Sequence, residues 1–398
     1  MDNMRTILHA DANGFFASVE CAMNPELKNV PMAVGGNEET RHGIILAKNE
    51  LAKKYNIQTA ETIHSAKQKC PDLVIVPPHH TLYREYSKKL FEIYTRYTDL
   101  VESFGLDEAW LDVTGSRRLF GDGVTIANEL RRVVKEETSL TISVGVSFCK
   151  VFAKLGSDYK KPDATTVFDQ NNWQQYIYPL PASDLLFVGK NTKADLEKIG
   201  IKTIGQLAKA DRNILLQKFG KQGEMLYLYS NGLDNSPVKS IYDTDEVKSV
   251  GNSTTFPKDI SGEEEIRREI SLLSESVARR MRKKNVKCTT VQIQIKTPQF
   301  KTIQRQTTTT KPVSTARELK EIAMQIIKDN WDMSSPIRLL GVTGANLVAS
   351  DESCEQLTLF DSPQTNYKKV EKLETTIEKL KQRFGENSLV SLSDIKHK

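Results

Sequence analysis

The first 170 or so residues alternate between short apolar runs and longer stretches with helical spacing. Runs at 6–10 (TILHA), 31–34 (PMAV), 43–46 (GIIL) and 73–76 (LVIV) have the length of strands. The second runs into Gly35-Gly36 and the last stops at Pro77-Pro78. Residues 15–23 are helix-like and closed by Asn24-Pro25, and another helix ends at Tyr55. Leu90, Ile93, Tyr94 and Tyr97 recur on one face, which predicts a helix through residue 97. A strand pair at 101–105 and 109–113, a helix at 124–137 and a strand at 141–146 complete an α/β domain.

From 169 to 234 the pattern turns helical, punctuated by Gly189, Gly200, Gly205 and Gly220. Two helices joined by a tight glycine turn can aim backbone N–H groups at a phosphate. The stretch 185–208 (LLFVGKNTKADLEKIGIKTIGQLA) resembles a helix-hairpin-helix, a binder of the DNA backbone without base preference. Residues 235–246, with Ser236-Pro237, read as a linker. Beyond it comes a strand at 247–256, then a helix at 263–284 with Ile266, Ile270, Leu273, Val277 and Met281 on one stripe. Val291, Ile293 and Ile295 alternate as a strand, and 300–308 forms the second strand of that hairpin. A helix at 315–331 opens with Thr315 and Glu318 at capping-box spacing, and the last strand starts at 337. The order β-α-β-β-α-β is the split-βαβ pattern.

At 398 residues, with ~100–200 per domain, the chain suggests two to four domains. Its 38% hydrophobic and 27% charged residues exclude a mostly disordered chain. No apolar run approaches the ~20 residues needed to span a bilayer. The N-terminus lacks the h-region of a signal peptide, so a cytoplasmic location is expected. Cys21, Cys70, Cys149, Cys288 and Cys354 are scattered without a CxxC pair, which argues against disulfides or zinc and suits a reducing cytosol. Charge matters more by placement than by total. Residues 279–317 hold eleven Lys and Arg and no Asp or Glu, so this segment carries +11 while the rest of the chain sums to −6. One-sided charge of this kind is the footprint of a polyanion track, with a solvated basic face as the plainer alternative. The tail, 349–398, contains Gln356-Leu357-Thr358-Leu359-Phe360 in a polar stretch, which reads as a peptide anchor for another protein's groove.

The candidate chemistry is acidic. Asp107 and Glu108 stand side by side between two apolar strands, and Asp11 ends the first strand. Adjacent strands would bring these carboxylates together, where they repel and raise their own pKa values. A divalent cation relieves that repulsion, and hard oxygen ligands suit Mg²⁺. Two such ions ~3.5–4 Å apart stabilise the attacking and leaving oxygens of an in-line phosphoryl displacement. Read alone, the pair could equally cap a turn.

Together, HADANGFF, NPELKNVPMAVGG, FGLDEAWLDVTGS and SVGVSFCKVFAKLGSDYKKPD, in this order with the glycine-turn helices, resemble the Y family of translesion DNA polymerases. The likeness covers about residues 5–360 and is nearest to the DinB type, that of bacterial DNA polymerase IV. It implies an α/β multidomain right hand: palm at 1–24 and 79–168, fingers at 25–78, a helix-hairpin-helix thumb at 169–234, and a βαββαβ little finger at 247–348. It implies a monomer that acts on primer–template DNA and dNTPs, is error-prone, lacks proofreading, and docks on the β sliding clamp through Gln356, Leu357, Leu359 and Phe360. Asp11, Asp107 and Glu108 fall on the catalytic carboxylates that hold two Mg²⁺ ions, with the carbonyl of Ala12 as a further ligand. Phe16 falls on the steric gate against ribose, with Phe15 beside it. Lys53 and Lys161 fall near the triphosphate. Gly189, Lys190, Arg280, Lys283, Lys284, Lys296, Lys301 and Arg305 are the expected DNA contacts.

The chain also departs from the family pattern. Ala47, Glu50 and Lys53 stand where Thr, Tyr and Arg often hold the triphosphate; Gly105 and Asn13 replace a usual Ser and Asp. Lys53 supplies charge without the bidentate fork of Arg. These changes motivate one alternative to a polymerase, a catalytically weak or inactive relative serving as a DNA-binding repair scaffold; a two-metal nuclease is a third class, which would leave Phe16 and Lys161 without a role.

Overall fold

The computed structural model describes residues 5–37, 41, 43–243, 246–350 and scattered positions from 373 to 388. Two compact units divide the chain, one running to 244 apart from 39–41, the other beginning at 245.

The strands of the first unit are β1 (Ile7–Ala12), β2 (Met32–Gly35), β3 (Ile45–Lys48), β4 (Val74–Val76), β5 (Val101–Ser103), β6 (Glu108–Asp112), β7 (Ile142–Ser147) and β8 (Thr165–Phe168). Five of them form one sheet in the order β5-β6-β1-β7-β8. β1 lies at its centre, antiparallel to both β6 and β7. Side chains alternate across a strand, so β1 serves two layers. Leu8 and Ala10 join Ile126 and Leu130 of the helix Gly123–Thr138 in the main core. Ile7 packs instead with Ala153 of the helix Lys150–Tyr159. Asp11 has the parity of Ile7, so it faces that second helix.

Gly145 lets this helix approach. A Cβ there would lie 1.9 Å from the carbonyl oxygen of Ala153, so no larger residue allows the helix to sit so near β7. The expected elements do not include this helix, which buries Val151, Phe152, Ala153 and Leu155, nor the helix Ile63–Lys69, whose Thr62 cap accepts from Ser65 N–H at 3.1 Å.

Residues 32–76 build a separate sheet, β3-β2-β4, over a small core that includes Ala33, Ile45, Ile57, Ile63 and Leu73. From Trp173 to Ser230 the chain is helical around Leu196, Ile204, Leu215 and Leu226, with Phe152 contributed by the Lys150–Tyr159 helix. The segment expected to be a linker is held in place as far as residue 243. Val238 is buried with Ile7 and Trp110. The N–H of Lys239 donates to Glu102 Oε2 at 2.9 Å, and the N–H of Ile241 donates to the Asp99 carbonyl at 3.0 Å.

The second unit contains β9 (Ser249–Ile260), β10 (Val286–Lys296), β11 (Thr302–Val313) and β12 (Ile337–Ala349), ordered β11-β10-β12-β9. Each β-α-β step skips one strand, as the split-βαβ pattern requires. The helices Glu263–Lys283 and Ala316–Asn330 cover one face of this sheet through Ile270, Val277, Leu319 and Ile327. Thr315 and Glu318 form the expected capping box. β11 runs to Val313, five residues past the predicted end, as an exposed edge strand rich in threonine and glutamine.

Candidate active site

Strand pairing brings the three acidic residues together. Asp11 sits opposite Glu108 in the β1–β6 register. One step on, the Ala12 N–H donates to the Asp107 carbonyl at 3.1 Å. All three carboxylates and Ala12 line one cavity of about 540 Å³ in the first unit, whose far wall carries Ala47, Lys48, Glu50 and Lys53 from β3 and the helix after it. That volume lies within the usual range for a small-molecule site, ~300–1,000 Å³.

Two cations sit among these acids. Lys154 Nζ lies 2.9 Å from Asp11 Oδ2, 2.6 Å from Glu108 Oε2 and 3.4 Å from Asp158 Oδ2. Lys161 Nζ bridges Asp11 Oδ2 and Asp158 Oδ1, both at 2.7 Å. Lys154, Asp158 and the buried His9 contact were not found from sequence. The signal was there: Lys150, Lys154, Asp158 and Lys161 recur at helical spacing against the apolar stripe Val151, Phe152 and Leu155.

The titrations follow this company. Burial pushes Asp107 up to about 6, with help from Asp11 and Glu108. Burial also works against ionised Glu108, but His9 and Lys154 outweigh it and hold its carboxyl well below the usual range. Burial lowers His9, whose Nδ1 lies 2.9 Å from Ser157 Oγ and whose Nε2 is 3.4 Å from Glu108 Oε2. For Lys154 and Lys161 desolvation is outweighed by Asp11 and the other carboxylates, so both stay charged with raised pKa values.

This donor set fits a hard divalent cation. Asp11 and Glu108, with a ring nitrogen of His9, offer ligand atoms within 4.8 Å of one another; Asp107 stands outside that group, lines the same cavity, and is crowded enough to resist ionisation, the strain an added positive charge relieves.

Phe16 enters the cavity from the first turn of the helix Phe15–Met23. Gly14 makes the turn in the left-handed region at φ 56°, where its missing Cβ leaves room for the Lys48 carbonyl. The Phe16 ring stacks on Tyr83, with centroids 4.1 Å apart and planes within 13°. Tyr83 donates to buried Glu20 Oε1 at 2.5 Å, and His79 Nδ1 meets the same oxygen at 2.9 Å. Phe15 is nearly fully buried in the main core.

Three family models match in chain order: the impB/mucB/samB family at residues 10–158, the thumb domain of DNA polymerase iota at 183–234, and the impB/mucB/samB C-terminal domain at 247–359. A protein of Acetivibrio thermocellus named DNA polymerase IV is 48% identical over 381 residues, 96% of this chain and 95% of the relative. The chain belongs to the Y family of DNA polymerases. Other members include DNA polymerase IV of Moorella thermoacetica, 39% identical over 96% of this chain and 94% of the relative. DNA polymerase IV 1 of Bacillus subtilis is 35% identical over 96% and 91%. A solved Y-family DNA polymerase chimera shares the fold at TM-score 0.76 and 21% identity, covering 86% of this chain and 99% of its own.

The remaining positions expected to serve this Y-family polymerase lie outside the cavity. Gly189 is the N-cap of the helix Lys190–Lys198, with open space where a Cβ would stand, and Lys190 is exposed. In the second unit Lys283 and Lys284 end a helix, and Lys301 lies in the β10–β11 turn. Lys296 alternates with buried Ile295, so it points away from the helices. Arg305 shares the register of buried Ile293 and donates from Nε to Asn330 Oδ1 at 3.2 Å, on the helix side. Arg280 donates to the Gly251 carbonyl at 2.5 Å. Gln356 to Phe360 lie outside the described residues.

Proposed function

We propose that this chain, a translesion-type, DNA-directed DNA polymerase, binds a dNTP and a primer end in the cavity between β1–β6 and β3, with Asp11, Asp107 and Glu108 as its catalytic carboxylates. The observation that carries the reading is the β1–β6 register, which sets Asp11 against Glu108 and beside Asp107. Homology implies dependence on a divalent metal. We assign two Mg²⁺ ions to the three carboxylates and the Ala12 carbonyl; when bound, they neutralise triphosphate charge and make the primer 3′-OH a better nucleophile.

The chain's own residues do the positioning. Lys161 and Lys53 meet the triphosphate. Phe16, braced by Tyr83, stands where a ribose 2′-OH would clash, and thereby favours deoxynucleotides. His9 and Lys154 keep Glu108 ionised as a ligand. No covalent intermediate is needed, because catalysis rests on placement and electrostatics. The acidic sheet unit acts as palm (1–24 and 79–168), residues 25–78 as fingers, and 169–234 as thumb. Residues 247–348, with Lys283, Lys284, Lys296 and Lys301, act as a little finger on the DNA backbone. Gln356, Leu357, Leu359 and Phe360 anchor the otherwise monomeric enzyme to the sliding clamp, and among the described residues no second cluster of metal-ligating side chains stands ready for proofreading.

Primer extension with Mg²⁺ and four dNTPs tests this. Asp107→Ala or Glu108→Ala should reduce extension by about 10³-fold or more while primer–template affinity holds; losses near this scale follow removal of one well-placed electrostatic group. Undiminished extension by either variant would refute the assignment.

A further inference from the structure

Four lysines face the cavity, and three have acidic company. Lys154 and Lys161 are held by Asp11, Glu108 and Asp158. Lys53 Nζ lies 3.7 Å from Glu50 Oε1, an exposed pair. Lys48 differs. Among the described residues its ammonium has no carboxylate at ion-pair distance, and its nearest polar contact is a long one, 3.4 Å to Thr59 Oγ1. It is half-buried, and burial together with Lys53 lowers its pKa. Glu61 and Glu50 act on it only from beyond ion-pair distance, so this partly desolvated cation gains from an anion brought into contact.

Its placement is specific. Lys48 ends β3 opposite Ala33 of β2. The next residue, Asn49, locks the strand-to-helix junction. Its Oδ1 accepts from Met32 and Ala52 N–H, and its Nδ2 donates to the Leu27 and Val30 carbonyls. The Lys48 carbonyl sits 3.1 Å from where a Cβ of Gly14 would stand, in the turn between Asp11 and Phe16. The side chain therefore leaves a rigid backbone beside the turn that joins the carboxylates to the proposed sugar gate. Neighbouring Ala47 and Glu50 offer no cationic donor on this wall.

We propose that Lys48 binds the phosphate chain of the incoming nucleotide, acting with Lys53 as the cationic wall opposite Lys161. The proposal rests on reading the cavity as the nucleotide site. It makes Lys48 a binding residue whose partner is a polyphosphate, with Thr59 holding the ammonium until the ligand arrives.

The test compares wild type, Lys48→Gln and Lys48→Arg in steady-state extension at saturating primer–template, with folding checked by circular dichroism. Lys48→Gln should raise KM for dNTP about ten- to hundredfold, the scale of a lost hydrogen bond to a charged group, with kcat within about twofold. Lys48→Arg should restore most of the loss. Inhibition by inorganic triphosphate should weaken in parallel, whereas primer–template Kd stays unchanged. An unchanged KM in Lys48→Gln overturns the role of Lys48 and leaves the cavity assignment standing. A raised primer–template Kd with normal triphosphate inhibition also overturns it, moving Lys48 to the DNA. Absence of extension by the wild type overturns both readings.

Discussion

Lys154 and Lys161 each touch two or more carboxylate groups within 3.4 Å, inside a cavity walled by a sheet and a helix. In the second unit, the ammonium groups of Lys283, Lys284, Lys296 and Lys301 have no carboxylate at ion-pair distance among the described residues, and all but half-buried Lys296 are exposed. Both regions use lysine, to different ends. In the first, short distances and partial burial make each charge act on a particular oxygen. In the second, exposed charges sum into a field that salt screens within ~10 Å. The first arrangement can set the ionisation of one ligand; the second can hold a phosphate backbone without reading it.

The largest effect that would break this comparison is the loss of Lys154. Lys154→Met should lower kcat by about a hundredfold, the cost of removing one fixed charge from a preorganised site. The loss should be nearly independent of salt between low and physiological strength. A defect that disappears at low salt would mean that Lys154 acts through the general field, like the lysines of the second unit.

The converse variant, Lys283→Ala/Lys284→Ala/Lys296→Ala, should weaken primer–template binding about tenfold or more and flatten its salt dependence. Each lost phosphate contact removes about 0.9 from the slope of log K against log salt. The kcat at saturating DNA should hold. A lowered kcat with an unchanged slope would show that these lysines shape the second unit and do not meet DNA.

How much of this contrast the sequence carried depends on the range of each interaction. The second unit was legible almost residue by residue, since the stripe Ile266 to Met281, the alternation Val291 to Ile295 and the Thr315–Glu318 box are local signals. The edge strand β11 was undercut because TTTTKPV has no alternating apolar face to mark it. In the first unit, Asp11, Asp107 and Glu108 could be named together because each ends or starts a short apolar strand. What Lys154, Asp158, His9 and Tyr83 do could not be read. Their roles come from which side of β1 faces which helix, and from a helix packed over Gly145. The setting of Lys48 is hidden for a related reason: that no carboxylate among the described residues reaches ion-pair distance of its ammonium is a fact of three dimensions.

A smaller effect separates the regions by pH. Asp107 titrates near 6 because burial and the neighbouring Asp11 and Glu108 raise it. Above that pH it is ionised and available to a cation; below, the proton competes. Mn²⁺ affinity, followed by electron paramagnetic resonance without nucleotide, should therefore fall as pH drops through about 6, by about tenfold per unit. Primer–template affinity, resting on lysines, should stay flat over the same window. A flat Mn²⁺ profile would remove Asp107 from the ligand set.

The smallest effect concerns a property the two units share despite their different use of charge. Cys149 in the first and Cys288 in the second are both buried, and burial pushes each thiol up to about 12. The thiolate is the reactive form, so iodoacetamide at neutral pH should label both at least about a hundredfold more slowly than an exposed thiol of pKa about 8.5. Site-by-site labelling read by peptide mass spectrometry should show equal protection in the folded protein and full labelling in concentrated guanidinium. Faster labelling of Cys288 alone would mean that the second unit, whose uncompensated lysines repel one another, opens more readily than the first. Its protection should then recover when DNA is added, because the polyanion removes the repulsion that drives the opening. Equal protection in both would show that charge imbalance on the surface costs the second unit nothing at its core, where Cys288 packs against Val291 and Met281.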